Sequence, residues 1–193
     1  MSLRIIGGSF RNRSLKTPKG TQTRPTLAIM RKAVFDILQT AINDARFLDL
    51  YAGSGAMGLE ALSRGARHAT LVDSNSLAFR CIEENVRFLG VEDQCSLISY
   101  DCFKALKKLA SEKTPFDIAY ADPPYVAASR LHLLHEILLF FDTHPLLTQG
   151  GTLFLEESAP ATLKPEKLPL TTLYHVDTRT FSRSVLHQFR KTR

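Results

Sequence analysis

Asp49-Leu-Tyr-Ala-Gly53-Ser-Gly55-Ala-Met-Gly58-Leu-Glu60 is the stretch on which the fold of this chain turns. It leaves an apolar run at 46–51, short enough for a strand, and enters a helical pattern at 57–64. Gly53, Gly55 and Gly58 match G-x-G-x-x-G in the strand–turn–helix setting that motif requires. Glycines there permit positive φ and let a ligand approach the backbone closely. A purely structural glycine turn is the alternative reading. Asp73 ends the next strand candidate, 20 residues past Gly53, where a carboxylate can accept hydrogen bonds from a ribose diol.

Working outward from this loop, strand candidates recur at 46–51, 69–73, 95–99, 117–121 and 152–156. Helices fit between them at about 57–64, 76–89, 102–110 and 129–141. Strand and helix alternating in this way predict a parallel sheet covered on both faces. After 156 the helices stop, a Pro-rich connection covers 160–169, and 171–178 and 184–190 read as two further strands. Upstream, Arg24-Pro25-Thr26 offers a turn and helix start. Ile29, Ala33, Ile37 and Ala41 then recur at helical spacing beside Met30, Val34, Leu38 and Ile42. Residues 3–6 and 13–16 look like short strands around Gly7-Gly8. The expected architecture is an α/β domain over 26–193 with a seven-stranded, mostly parallel sheet, preceded by a basic arm or hairpin over 1–25.

Composition agrees. The chain has 193 residues, 44% hydrophobic and 23% charged, which excludes a disordered tail, a collagen-like fibre and a disulfide-stapled miniprotein. Cys81, Cys95 and Cys102 are odd in number and form no C-x-x-C pair, and the six histidines show no metal spacing. No metal site is expected, and a reducing, cytoplasmic location fits best. The opening Met1-Ser-Leu-Arg4-Ile-Ile-Gly-Gly lacks a signal-peptide run, and the apolar stretch Leu131 to Phe141 is interrupted by His132, His135 and Glu136. It is also far short of the ~20 residues needed to span a bilayer, so no membrane association is expected.

The formal charge of +6 divides unevenly. Residues 1–35 hold eight basic residues and no acid, and residues 178–193 hold five basic residues and no acid. The segment between carries 12 basic residues against all 19 acids, a net charge of −7. Two basic ends suit a polyanionic partner, because clustered Lys and Arg release counterions from phosphates. Solvated basic termini are the other reading of the same pattern.

NAD enzymes and S-adenosylmethionine (SAM) enzymes share the glycine-loop geometry. Asp49, four residues before Gly53, helps to separate them. A dinucleotide puts a pyrophosphate at this turn, which a carboxylate would repel. SAM has no phosphate and carries a sulfonium and an α-ammonium, which a carboxylate attracts. Asp49 therefore favours SAM, with a strand-end turn former as the alternative.

The strand candidate 117–121 delivers Asp122-Pro123-Pro124-Tyr125. Carboxyl ends of strands in a doubly wound sheet face the ligand crevice, so this tetrapeptide belongs near the glycine loop. Two prolines lock the backbone and hold a carboxylate, a carbonyl and an aromatic ring in fixed relation. Those parts suit methyl transfer to a planar exocyclic amine, whose lone pair is delocalised into its ring. Asp122 and the Pro123 carbonyl can accept its N–H bonds and aim the lone pair. Tyr125 can stack on the base, a contact worth ~1–3 kcal/mol. A proline-rich turn without function would need neither the acid nor the aromatic residue.

The tetrapeptide resembles motif IV of amino methyltransferases, and Asp49 to Gly58 resembles their motif I. The chain as a whole resembles the RsmD family, bacterial enzymes that methylate the N2 amine of a guanine in 16S ribosomal RNA. Arg4-Ile-Ile-Gly-Gly, Arg24-Pro25-Thr26, Arg31 and Phe35 match its N-terminal signature, as does the run from Leu48 to Arg64-Gly. The match spans nearly all of residues 4–157 and weakens in the last strands.

The resemblance implies a Rossmann-like class I SAM-dependent methyltransferase. Asp49, Tyr51, Gly53, Ser54, Gly55 and Gly58 would border SAM, Asp73 and Ser74 its ribose, and Asp101 and Cys102 its adenine. Asp122, Pro123, Pro124 and Tyr125 would hold the target guanine. Asp101 as a helix cap is the competing reading. Asn75 departs from the family pattern, which often has an acid two places after the ribose carboxylate. Ala28, Lys32 and Asp36 also replace the family's usual residues. Arg4, Arg11, Arg13, Lys16 and Arg24 would bind RNA, with 16S ribosomal RNA in the small subunit or an assembly intermediate as partner and a monomer as the expected state. For Arg24 and Thr26 a helix-start turn alone is the alternative. The rival functions are a DNA adenine-N6 methyltransferase, for which the chain has little room for a target-recognition domain, protein glutamine methylation, which commonly shows Asn where Asp122 stands, and a non-catalytic RNA-binding protein retaining the fold.

Overall fold

In the computed structural model, which describes residues 3–18, 25–113, 115–124 and 127–192, the arm is a two-stranded antiparallel hairpin. Its strands are β1 (Leu3–Arg4) and β2 (Ser14–Leu15). Helix α1 (Pro25–Leu38) follows and tightens into a 3₁₀ turn over Gln39–Ile42. Then come β3 (Arg46–Leu50), α2 (Ala56–Ser63), β4 (His68–Val72), α3 (Ser76–Leu89) and β5 (Cys95–Ile98). The chain continues through α4 (Cys102–Ser111), β6 (Phe116–Ala121), α5 (Ala127–Thr143), β7 (Leu147–Ser158), β8 (Leu173–Phe181) and β9 (Ser184–Lys191).

The large sheet has seven strands in the order β5-β4-β3-β6-β7-β9-β8. The first five run parallel, and β9 enters antiparallel to both β7 and β8. The expected α/β sheet is borne out, with its two late strands as a terminal hairpin. Strand order reverses between β3 and β6, and at such a switch point the loops leaving the carboxyl ends diverge and open a crevice.

Period-two alternation divides the core into two layers. Phe47, Leu71, Ile118 and Phe154 face α1, α2, α3 and the hairpin residues Leu3, Ile5 and Leu15. Leu48, Leu50, Leu153 and Leu155 face the other way, against Leu106 of α4 and Ile137 and Phe141 of α5. In α1 the buried stripe is Met30, Val34 and Leu38, continued by Ile42 in the 3₁₀ turn, while Ile29 stays exposed. β7 is longer than the expected 152–156, because pairing begins before the Gly150-Gly151 pair that reads as a breaker in the sequence. No described helix is long and apolar enough to cross a membrane.

Candidate active site

Register places the glycine loop and the Asp122 tetrapeptide side by side. Leu50 of β3 pairs with Ala121 of β6, and the Asp122 N–H points to the Leu50 carbonyl at 3.5 Å. Tyr51 and Asp122 are therefore the first residues beyond two adjacent strands at the switch point. Tyr51 adopts φ +61°, a left-handed conformation that is costly for a bulky residue and recurs at functional sites.

Asp49 is buried at the end of β3, and its Oδ2 accepts the Gly58 N–H at 2.9 Å. Burial pushes its carboxyl up to about 7; the Gly58 hydrogen bond opposes this and the nearby Asp73 adds to it. A cation lying along the loop would restore the ionised form. The helix can pack this close because residue 58 is glycine. A Cβ there would stand 3.2 Å from Leu71 and 3.4 Å from Asp49 Oδ2. At Gly53, φ +59°, the added atom would meet nothing nearer than 4.0 Å, so the loop is open on that side.

Asp73 follows β4 and ties the loop to it. One carboxylate oxygen accepts the Gly53 N–H and the other the Asn75 N–H, both at 2.8 Å. Each oxygen retains a lone pair for a further donor. Ser74 is exposed beside it. Asn75 caps α3 by accepting from Leu77 and Ala78 at 2.9 and 3.1 Å, so at this position an amide oxygen does the work an acid can do.

Asp101 is exposed and caps α4 through the Lys104 N–H at 3.0 Å, as the competing reading had it. Capping uses one oxygen and leaves the other for a further donor. Cys102 is buried beside the Tyr51 hydroxyl. Burial pushes the Cys102 thiol up to about 12, so it is neutral and packs as an apolar wall. Burial and the adjoining Cys102 also hold the Tyr51 hydroxyl protonated.

Asp122 is half-buried, Pro123 buried and Pro124 exposed, while Tyr125 lies outside the described residues. Beneath them is a group the motifs do not mark. Tyr120, two residues before Asp122, is buried and donates its hydroxyl to Glu156 of β7. Strand parity puts Asp49, Tyr120 and Glu156 on the same face of the sheet. Burial and the charge of Glu156 keep the Tyr120 hydroxyl far from ionising. An acid interrupting the apolar run Leu153-Phe154-Leu155 was the available signal for Glu156.

The hairpin arm is keyed to the helix that leaves the glycine loop. The fully buried Glu60 of α2 accepts the Ile6 and Gly7 N–H groups at 2.7 and 2.8 Å, and the Arg64 Nε at 2.7 Å. Ser63 accepts the Phe10 N–H at 2.9 Å, and its carbonyl accepts the Ser9 N–H at 2.7 Å. Arg4, Arg11, Arg13 and Lys16 are exposed along this arm. Arg13 lies over the Phe88 ring at 5.8 Å, and Lys16 pairs with Glu84 at 2.9 Å. Arg24 lies outside the described residues.

Comparison with known proteins agrees with this arrangement. The model of the family described as "Conserved hypothetical protein 95" matches residues 3–189. The ribosomal RNA small subunit methyltransferase D of Escherichia coli (strain K12) is 35% identical over 154 residues, which cover 80% of this chain and 74% of that protein. YlbH of Bacillus subtilis (strain 168) is 34% identical over 154 residues, covering 80% and 82%. Among solved structures, the Escherichia coli protein yhhF superposes with a TM-score of 0.82 at 28% identity, covering 100% of this chain and 99% of that one. A hypothetical protein of Thermus thermophilus, TTHA0928, gives 0.77 at 32% identity, covering 96% and 98%. With the motif resemblance, the family match and these relatives in agreement, the chain belongs to the conserved hypothetical protein 95 family, the RsmD family.

Proposed function

We propose that the chain is a SAM-dependent methyltransferase of small-subunit ribosomal RNA and that its acceptor is the exocyclic N2 amine of a guanine in 16S RNA. The observation that carries this reading is the adjacency of Asp122-Pro123-Pro124 to the loop that begins at Tyr51. The names of the methyltransferase D relatives support ribosomal RNA as the substrate class.

The residues present fit the methyl donor. Asp49, buried and near neutrality, gains its charge when a cationic group lies along the loop, and the open side of Gly53 leaves room for one. SAM, when bound, supplies a methyl group on a cationic sulfur that leaves as a neutral thioether, S-adenosylhomocysteine. Asp73 offers its remaining lone pairs to ribose hydroxyls, with Ser74 beside it. The neutral Cys102 lines the adenine end, and the Asp101 oxygen not used in capping accepts from the adenine amine.

Asp122 and the Pro123 carbonyl accept the N–H bonds of the target amine and turn its lone pair toward the methyl group. Pro123 and Pro124 lack N–H groups and have fixed φ, so these acceptors do not reorganise. Tyr125 stacks on the guanine. The proton released after transfer leaves through Asp122 to water. A paired base does not reach this crevice, so the guanine is unpaired or flipped out. Arg4, Arg11, Arg13, Lys16 and Arg24 hold RNA phosphates. The natural substrate is a small subunit or its assembly intermediate, met by a monomer.

The test is methyl transfer from labelled SAM to unmodified small ribosomal subunits, free 16S RNA, duplex DNA and protein, followed by nucleoside chromatography. Label in N2-methylguanosine is expected. Label in N6-methyladenosine or in protein would overturn the acceptor assignment.

A further inference from the structure

Asn85, in the third turn of α3, is 1% exposed, and its side-chain amide joins two segments that lie far apart in the chain. Its Oδ1 accepts the Lys16 N–H at 2.8 Å, and its Nδ2 donates to the Lys16 carbonyl at 3.0 Å and to the Ser54 carbonyl at 2.9 Å. The two Nδ2 hydrogens serve the arm, the glycine loop and, at 3.7 Å, the Cys81 Sγ within α3. Ser54 stands between Gly53 and Gly55, with φ of +59° and +76°, so the peptide planes around it have no steric restraint of their own. Lys16 is the first residue past β2, where the two-residue pairing of the hairpin has ended. At each end the same buried amide joins other holds: Asp73 on the Gly53 N–H and Ala52 on the Gly55 N–H at the loop, Glu60 and Ser63 on the arm.

Resting on the functional reading above, we propose that Asn85 is a positioning residue that couples the cofactor loop to the RNA-binding arm. Cofactor on the loop fixes the Ser54 carbonyl, the fixed carbonyl fixes the Asn85 amide, and the amide holds Lys16 and the arm in the conformation that grips RNA. Linkage makes the effect reciprocal: RNA on the arm tightens the cofactor by the same factor. The path is one side chain long, and each contact in it is a hydrogen bond between buried or half-buried groups.

The experiment measures binding of unmodified small ribosomal subunits to the full chain with and without saturating S-adenosylhomocysteine. It also measures calorimetric affinity for S-adenosylhomocysteine alone. In the wild type, S-adenosylhomocysteine is expected to tighten subunit binding at least about fivefold. It is also expected to slow hydrogen exchange of the Lys16 amide. In Asn85→Asp, which can accept from Lys16 N–H but cannot donate to either carbonyl, the ratio falls to one while each ligand still binds alone. Lys16→Ala keeps both backbone groups and keeps the ratio, even as it weakens subunit binding.

A wild-type ratio of one, an Asn85→Asp ratio equal to the wild type's, or Lys16 exchange indifferent to S-adenosylhomocysteine overturns the coupling. The wild-type ratio and exchange decide the matter even if Asn85→Asp does not fold. Failure of S-adenosylhomocysteine or of subunits to bind the wild type at all would instead overturn the functional reading on which the coupling rests.

Discussion

Asp49 Oδ2 receives the Gly58 N–H at 2.9 Å, so a carboxylate that burial has driven up to about 7 joins the end of β3 to the first turn of α2. Binding and folding make opposite demands on this group. A cationic ligand needs Asp49 ionised, and its affinity is expected to fall as pH drops below about 7, by at most about tenfold per unit. Folding prefers the protonated form. The carboxyl lies above its ordinary 3.8, so its contribution to stability is complete below that value and is lost as pH rises toward 7. Asp49→Asn should therefore raise the thermal unfolding midpoint of the free protein at pH 8, by roughly 1–3 kcal/mol in stability. It should also weaken S-adenosylhomocysteine at least about tenfold by calorimetry, and undiminished binding would remove Asp49 from the cofactor site.

Asp122 is expected to act on the amine and not on the cofactor. Asp122→Asn keeps the shape of the side chain but weakens its acceptor strength and removes the proton acceptor. The expected loss in kcat is on the order of 100-fold. Calorimetric affinity for S-adenosylhomocysteine should stay within about twofold of wild type. A comparable fall in cofactor affinity would place Asp122 in the loop's own structure.

Glu60 is the arm's anchor. Glu60→Ala strands the Ile6 and Gly7 N–H groups and leaves Arg64 without its carboxylate. Removing one partner of such a buried set costs about 2–4 kcal/mol. Thermal unfolding should show that loss, and trypsin should cut after Arg11 and Arg13 sooner than in wild type. Unchanged cleavage would mean that the apolar contacts of Leu3, Ile5 and Leu15, with the Ser63 and Asn85 hydrogen bonds, hold the arm without Glu60.

Glu157 is expected to contribute to the acid limb of the stability profile. Burial alone would raise its carboxyl, but hydrogen bonds from His187, Thr162 and Leu163 outweigh it and bring the group down to about 2. His187 Nε2 lies 2.7 Å from it, and Thr162 donates through both N–H and hydroxyl. The carboxyl is depressed from 4.5, so this stabilisation is complete above that value and is lost as pH falls toward 2. Glu157→Gln should flatten urea-denaturation stability between those pH values. A curve as steep as the wild type's would assign the acid limb to other carboxylates.

Much of this architecture was legible in the residues. Strand–loop–helix punctuation around Gly53 and Gly58, and a carboxylate and two prolines after a strand, are local patterns with mechanical meaning. They placed Asp49, Asp73 and Asp122 at one edge of one sheet. Tyr120, Glu156, Glu60 and Asn85 were not legible in the same way. Each acts across 31 to 69 residues of sequence, through hydrogen bonds that only the packed sheet brings within reach. Asn85 in particular looks like an ordinary polar position on an amphipathic helix. Its burial depends on a hairpin that docks from the far end of the chain.

That docking also sets an order of events in synthesis. The arm is made before α2 and α3: its partners Glu60 and Ser63 lie 53 to 54 residues downstream, and Asn85 lies 69 downstream of Lys16. A two-residue ladder has no independent stability in water. The nascent basic segment therefore stays unstructured until α2 and α3 have been translated, and its contacts of high sequence separation form late. The positive charge of the arm keeps this early segment solvated and slow to collapse while it waits.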